Sequence, residues 1–338
     1  MKKENNMVQL IGSFLKERLI SQKNVSRHTI VSYSTTFQLL LKFGSSRLNK
    51  SLSRLCLEDF NDKLISKFLD DLEKRREISA RSRNLRLTAI RSFFKYISTE
   101  VPEEGVLINR VLAIPPKRFT RKTVTFLSNS EVVSLLSSQD QKTWLGRRDH
   151  MLLSLAIHTG FRLSELRQLS SDDVIWGQKM SVSCIGKGRK QRSVPLSKEV
   201  GACLRKWVKE LEQAEILFPT IHGNKMSSDS VQYLLNKYVA IAANGCPSLK
   251  NKRVTPHMLR HTAAMRMLQS GVDQASIAIW LGHESINTTY IYFTADMEMK
   301  EHILEKLPAL KMKNVRFKPK KGEIDFLKEL SSLDIQNG

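Results

Sequence analysis

The chain has 338 residues, 41% apolar and 26% charged, a balance that fits a folded protein long enough for two domains with cores of their own and not a disordered one. Lys and Arg number 55 against 33 Asp and Glu, a formal net charge of +22; a compact body with that excess repels itself, which favours a polyanionic partner, nucleic acid first. No stretch approaches the roughly 20 apolar residues of a spanning helix, so a membrane partner is not expected.

From the amino terminus, Val8, Ile11, Phe14 and Leu15 form an apolar face that Gln9, Gly12 and Ser13 interrupt and that runs into Lys16, Glu17 and Arg18. That pattern reads as an amphipathic helix and not as a secretory signal, and the expected compartment is the cytosol, in association with the nucleoid. Ile30, Tyr33, Phe37, Leu40 and Leu41 follow at helical spacing behind a capping serine, Ser26. Leu64, Ile65, Phe68, Leu69 and Leu72 make a further run after Asp59, and Leu85, Leu87, Ile90, Phe93, Phe94 and Ile97 another behind Ser79. About four helices in a small bundle are expected, forming a first domain over residues 7–105. Between Glu73 and Lys95 eight basic residues face two acidic ones, which suits a surface turned to phosphates.

Pro115 and Pro116 exclude a helix interior, and Lys117, Arg118, Arg121 and Lys122 follow them, so residues 106–125 read as a basic, extended linker. Helical patterning resumes at Glu131 behind Asn129 and Ser130, opening a second domain over 126–300. One departure from helix stands out there. Met180 to Ile185 and Ser193 to Leu196 pattern as paired strands around Gly186 and Gly188, a β-hairpin that carries Lys187, Arg189, Lys190 and Arg192 at and just beyond its tip. The fold class is therefore mainly α with a small β-hairpin or sheet, in two domains: a helical bundle and an α+β domain. Residues 301–338 make a basic tail, with Lys311, Lys313, Arg316, Lys318, Lys320 and Lys321 after Pro308 and then a short apolar stripe of Ile324, Leu327, Leu330 and Leu333.

Cys56, Cys184, Cys203 and Cys246 are too scattered for a disulfide framework or a metal site. Three other stretches carry polar chemistry. In TPHMLRH, Thr255 caps a helix with Pro256 in its first turn, which sets His257 and Arg260 on one face. His257 and His261 share the spacing of a zinc helix, but the arginine between them and the missing glutamate argue against a cation. In HTGFRLSEL, Gly160 breaks a helix, Arg162 starts the next, and Glu165 one turn on can brace the guanidinium. In WLGHESINTTYIY, a helix ends at Leu281, Gly282 takes the left-handed cap, and His283 emerges beyond it, with Tyr290 and Tyr292 following.

Taken in order, Arg162, Lys187 on a hairpin, His257 with Arg260, His283 and then Tyr292 make a constellation that is similar to that of the tyrosine recombinases. The phrases HTGFRLSEL, IGKGRKQRSVPL, TPHMLRHTAA and WLGHESINTTYIY resemble the motif regions of the phage-integrase and Xer branch. SRHTIVSY and SARSRNLRLTAIRSFFKYI resemble the SAM-like core-binding domain of the same family, so the likeness spans about residues 7–295. The resemblance implies a site-specific DNA recombinase or integrase of a mobile element. Tyr292 would attack a phosphodiester to leave a 3′-phosphotyrosine and a free 5′-hydroxyl, with no ATP, cofactor or metal. It implies Arg162 and Arg260 as the clamp on the non-bridging oxygens, His283 as a further donor, Lys187 as general acid to the leaving oxygen and His257 as assistant to the nucleophile. Arg81, Arg83 and Arg86 of the helix behind Ser79, Arg118 of the linker and Arg189 and Lys190 of the hairpin are the candidate contacts to double-stranded DNA. A homo-tetramer on DNA, joined through the C-terminal segment, is implied by the resemblance, as is a single class of DNA site, because little chain precedes the core-binding unit. Two other readings remain at this level: a relaxing enzyme of the type IB topoisomerase kind, and a catalytically silent DNA-binding accessory protein.

Overall fold

Asparagine, serine, threonine and aspartate side chains open most of the helices in the computed structural model, which describes residues 6–120, 124–186, 190–211 and 216–283. The chain divides into two compact units, residues 1–122 and 123–338.

In the first unit, α1 (Met7–Ser13) starts at Asn6, whose side chain accepts from the N–H groups of Val8 and Gln9, and it widens into π-type turns over Phe14–Gln22. The caps of α2 (Arg27–Leu48), α3 (Asp62–Arg76) and α4 (Ala80–Glu100) are Ser26, Asn61 and Ser79, each accepting from a backbone N–H in the first turn. Such caps are worth about 1 kcal/mol each. Phe14, Phe37, Phe60, Phe68, Phe93 and Phe94 are fully buried between these helices. Phe14, Phe37 and Phe93 meet edge to face with centroids 5.4–5.9 Å apart, the geometry that the ring quadrupole favours.

Three details differ from the sequence expectation. Residues expected to begin the linker instead form α5 (Gly105–Ala113), which lays Ile108 and Val111 into the same core, so the exposed segment of this unit starts only at Pro115. Asn84 pins that segment through both its amide groups, to the backbone N–H and C=O of Lys117. Leu85 points outward at 63% exposure, while Arg83 is buried. Arg83 shares a helix face with Leu87 and Ile90 and pairs with Glu73 at 3.4 Å. The expectation that it contacts DNA is therefore corrected, because its guanidinium faces the core and not solvent.

The second unit is built on α7 (Trp144–Thr159), which follows α6 (Asn129–Ser137) and buries nearly every residue on three of its sides. After the short α8 (Leu163–Leu166) comes a three-stranded antiparallel sheet of β1 (Val174–Ile175), β2 (Ser181–Ile185) and β3 (Gln191–Pro195), in the order β1-β2-β3. Its register pairs Val182 with Val194 and Cys184 with Arg192, so these four residues share the inward face. The partner strand thus starts two residues earlier than the sequence pattern suggested. Helices α9 (Lys198–Glu210), α10 (Ser228–Ala242), α11 (Pro256–Gln269) and α12 (Gln274–Leu281) complete the unit. Among the described residues no helix is long and apolar enough to cross a membrane, no His, Cys, Asp and Glu group could hold a metal ion, and all four cysteines are free thiols.

Candidate active site

Gly160 and Gly282 end α7 and α12 in the left-handed conformation, φ +64° at both, and their carbonyl ends point into one region. The approach is close. A Cβ on Gly160 would lie 2.4 Å from a methyl of Leu281 and 3.2 Å from Ala263, so the chain turns here only without a side chain. The N–H of His283 then bonds the Ala278 carbonyl at 2.9 Å, the long-range bond of a Schellman cap, which fixes where the imidazole leaves α12.

Arg260 projects from the first turn of α11 into this region at 2% exposure. Its Nη1 donates to the Gly160 carbonyl and its Nη2 to the Leu281 carbonyl, each at 2.6 Å. A cation is well placed there, since two helix C-termini present negative partial charge. Arg162 stands as the N-cap of α8, with Nη2 donating to the Gly282 carbonyl at 3.2 Å. Glu165 holds it twice, accepting from its backbone N–H at 2.7 Å and from its Nη1 at 2.9 Å. The brace read from the sequence is present, and Glu165 is buried to 4% exposure.

Sequence reasoning missed the second arm of that brace. Arg192, taken above as one of the cations near the hairpin tip, turns inward and bonds the other side of Glu165 at 2.6 and 3.1 Å. The signal was available: Arg192 has the same strand parity as Val194, the buried position of β3. Burial alone would raise the Glu165 carboxyl, but the bonds from Arg192 and from the Arg162 backbone outweigh it and hold the group below the usual carboxylate range.

The histidines are pressed the other way. Burial, and next Arg260, Arg162 and Arg192, push His283 down to about 4. Burial, then His257 and Arg260, push His261 down to about 4 as well. His261 was weighed only as a metal ligand; its ring meets that of His257 edge-on at 4.7 Å between centroids, while His257 itself sits on the exposed side of α11. Arg162, Arg260 and the His283 imidazole thus gather at the ends of α7 and α12, with Glu165 and Arg192 packed behind Arg162. Lys187 and Tyr292 lie outside the described residues, as do Arg189, Tyr290 and the segment 301–338. Of the remaining candidate contacts, Arg81, Arg118 and Lys190 are exposed, and Arg86 is half-buried with Nη1 on the Thr36 hydroxyl at 2.9 Å.

Residues 125–299 match the phage integrase family, and residues 13–100 match its N-terminal SAM-like domain. The chain belongs to the phage integrase family, the tyrosine recombinases, whose members cut and rejoin DNA. It is 51% identical over 332 residues to the integrase/recombinase y4rC of Sinorhizobium fredii (strain NBRC 101917 / NGR234), covering 98% of this chain and 100% of that protein. It is 29% identical over 309 residues to the tyrosine recombinase XerC of Oceanobacillus iheyensis, covering 89% and 95%. In fold it is similar to the XerH site-specific recombinase, solved bound to a palindromic difH substrate, with a TM-score of 0.69 at 21% identity over 90% of each chain. The Tn1549 transposon integrase, solved with transposon right-end DNA, gives a TM-score of 0.67 at 16% identity, over 89% of this chain and 99% of that one. The fold class read from the sequence and the recombinase reading both stand.

Proposed function

We propose that this recombinase cuts specific double-stranded DNA sites of a mobile element through Tyr292 and reseals them on a new 5′-hydroxyl. The observation that carries the reading is the convergence of Arg162, Arg260 and His283 on the ends of α7 and α12. In it, Arg162 and Arg260 bind the non-bridging oxygens of the scissile phosphate. Arg offers a planar fork of donors, and the backbone carbonyls hold both guanidiniums in place before substrate arrives. His283 stays neutral at pH 7 and still donates one N–H, without adding a charge to be desolvated. His257 assists Tyr292, and Lys187 protonates the departing 5′-oxygen. Because the bond energy is stored as a phosphotyrosine, strand exchange needs no ATP. Arg81, Arg86, Arg118, Arg189 and Lys190 hold the DNA backbone, in the cytoplasm.

We also propose that copies assemble as a tetramer through the C-terminal segment. An apolar groove of about 730 Å³ on the second unit supports this; Leu136, Ile157, Val200, Met267 and Trp280 line it. The stripe Ile324, Leu327, Leu330 and Leu333 is the segment of matching character.

The test is a suicide duplex nicked next to the cleavage point and carrying the element's own junction. The unaltered protein should form a covalent adduct visible on a denaturing gel. Tyr292→Phe should abolish it and Tyr290→Phe should not. Loss only with Tyr290→Phe would transfer the nucleophile to that residue, and tight DNA binding without any adduct would leave a silent DNA-binding protein.

A further inference from the structure

Arg192 occupies the point where three site-bearing stretches meet. Its guanidinium carbon lies 5.0 Å from the Phe161 ring centroid, and its side chain is 13% exposed. A Cβ on Gly186, the residue before Lys187, would come 2.9 Å from Nη1; one on Gly282, the residue before His283, would come 2.8 Å from the same atom. Both backbones therefore rest against one guanidinium that Phe161 backs. The bonds to Glu165 complete the arrangement. Each carboxylate oxygen takes one bond from Arg162 and one from Arg192: Oε1 from the Nη1 of both, Oε2 from the Arg162 backbone N–H and the Arg192 Nη2. An ionised carboxylate has about four lone-pair sites, so this one is saturated.

We propose that Arg192 is a positioning residue for the phosphate clamp: by occupying one side of Glu165 it limits that carboxylate to a single side-chain bond with Arg162, and by wedging against Gly186 and Gly282 it fixes the end of β2 and the backbone from which His283 leaves α12. The proposal rests on the site reading given above. With Arg192 gone, Glu165 turns both oxygens to the Arg162 guanidinium, the fork-to-fork pairing that arginine and carboxylate prefer, and draws it away from the phosphate. Lysine cannot substitute, because a point charge does not span both oxygens.

The experiment measures single-turnover adduct formation on the nicked duplex at saturating protein, alongside affinity for the same duplex in a Tyr292→Phe background. Arg192→Gln should slow adduct formation on the order of 10- to 100-fold, the scale of a clamp displaced by about an ångström, with DNA affinity unchanged. Arg192→Lys should recover only part of the rate. Adding Glu165→Gln to Arg192→Gln should restore rate relative to the single variant, since a neutral amide no longer captures Arg162. An ion pair that only stabilises the fold predicts the opposite, a double variant no faster than the single one and a loss that follows thermal stability. A wild-type rate in Arg192→Gln, an equal loss of DNA affinity, or no recovery in the double variant would each overturn the proposal. Absence of any adduct with the unaltered chain would instead fail the site reading itself, and this inference with it.

Discussion

His261 and His283 carry a cost that the fold meets only while they are neutral. Burial leads in both, followed by His257 and Arg260 for His261 and by Arg260 for His283, and each is pushed from 6.5 to about 4. A histidine depressed in the folded state binds its proton more readily when unfolded, so stability rises with pH between the two values and is level above the higher one. Thermal unfolding of the second unit should therefore show a melting temperature that is flat above about pH 6.5 and falls as pH drops toward about 4. Replacing His261 by Asn should flatten the slope, and a melting temperature insensitive to pH across that window would contradict the burial of neutral imidazoles. At this scale the sequence was informative for residues whose role is local. Arg162 with Glu165, and Thr255 with Pro256, could be read within one helical turn. Arg83 was assigned to the DNA face, and the inward turn of Arg192 was missed, because each is a cation on an otherwise apolar face and charge was given more weight than the position's periodicity.

The elements matter for where they stop. Four segments reach the site by way of a helix end or a strand end, and Gly160 is the tightest of these junctions. Gly160→Ala meets two penalties, a left-handed backbone costing roughly 1 kcal/mol and an overpacked contact with Leu281 costing about 1–3 kcal/mol. The variant should melt several degrees lower by calorimetry and also cleave more slowly, since the carbonyl that accepts from Arg260 moves with the residue. Unchanged stability would mean that α12 yields at Leu281. Both glycine stops and the serine caps could be read in advance, because capping is local chemistry. The extra helix over Gly105–Ala113 could not, since its single apolar stripe of Ile108 and Val111 is short and sits beside a run of prolines and cations that suggested a linker.

On the scale of the whole molecule, each unit has a core of its own, Phe-rich in the first and centred on α7 in the second. Under the proposed function, catalysis belongs to the site in the second unit and assembly to residues 309–338, so the two should separate experimentally. Removing residues 309–338 should leave adduct formation on the nicked duplex intact while abolishing strand exchange between two sites and cooperative DNA binding, as read by gel shift. Full exchange by the truncated chain would exclude docking of the tail in the groove around Trp280. Two units were legible from the change in patterning at Pro115 and Pro116, whereas the groove was not, because its walls come from α6, α7, α9, α11 and α12, distant in sequence.

Arg260 joins two demands in one side chain: the cation proposed to meet a phosphate also closes the ends of α7 and α12. Decay of such an enzyme into an inert relative would therefore be uneven. A copy that lost Arg260 would leave two buried carbonyls without their donor and fail to accumulate, whatever became of the rest of its site. A duplicated gene that keeps this arginine has preserved its scaffold, which does not report whether its product still cuts.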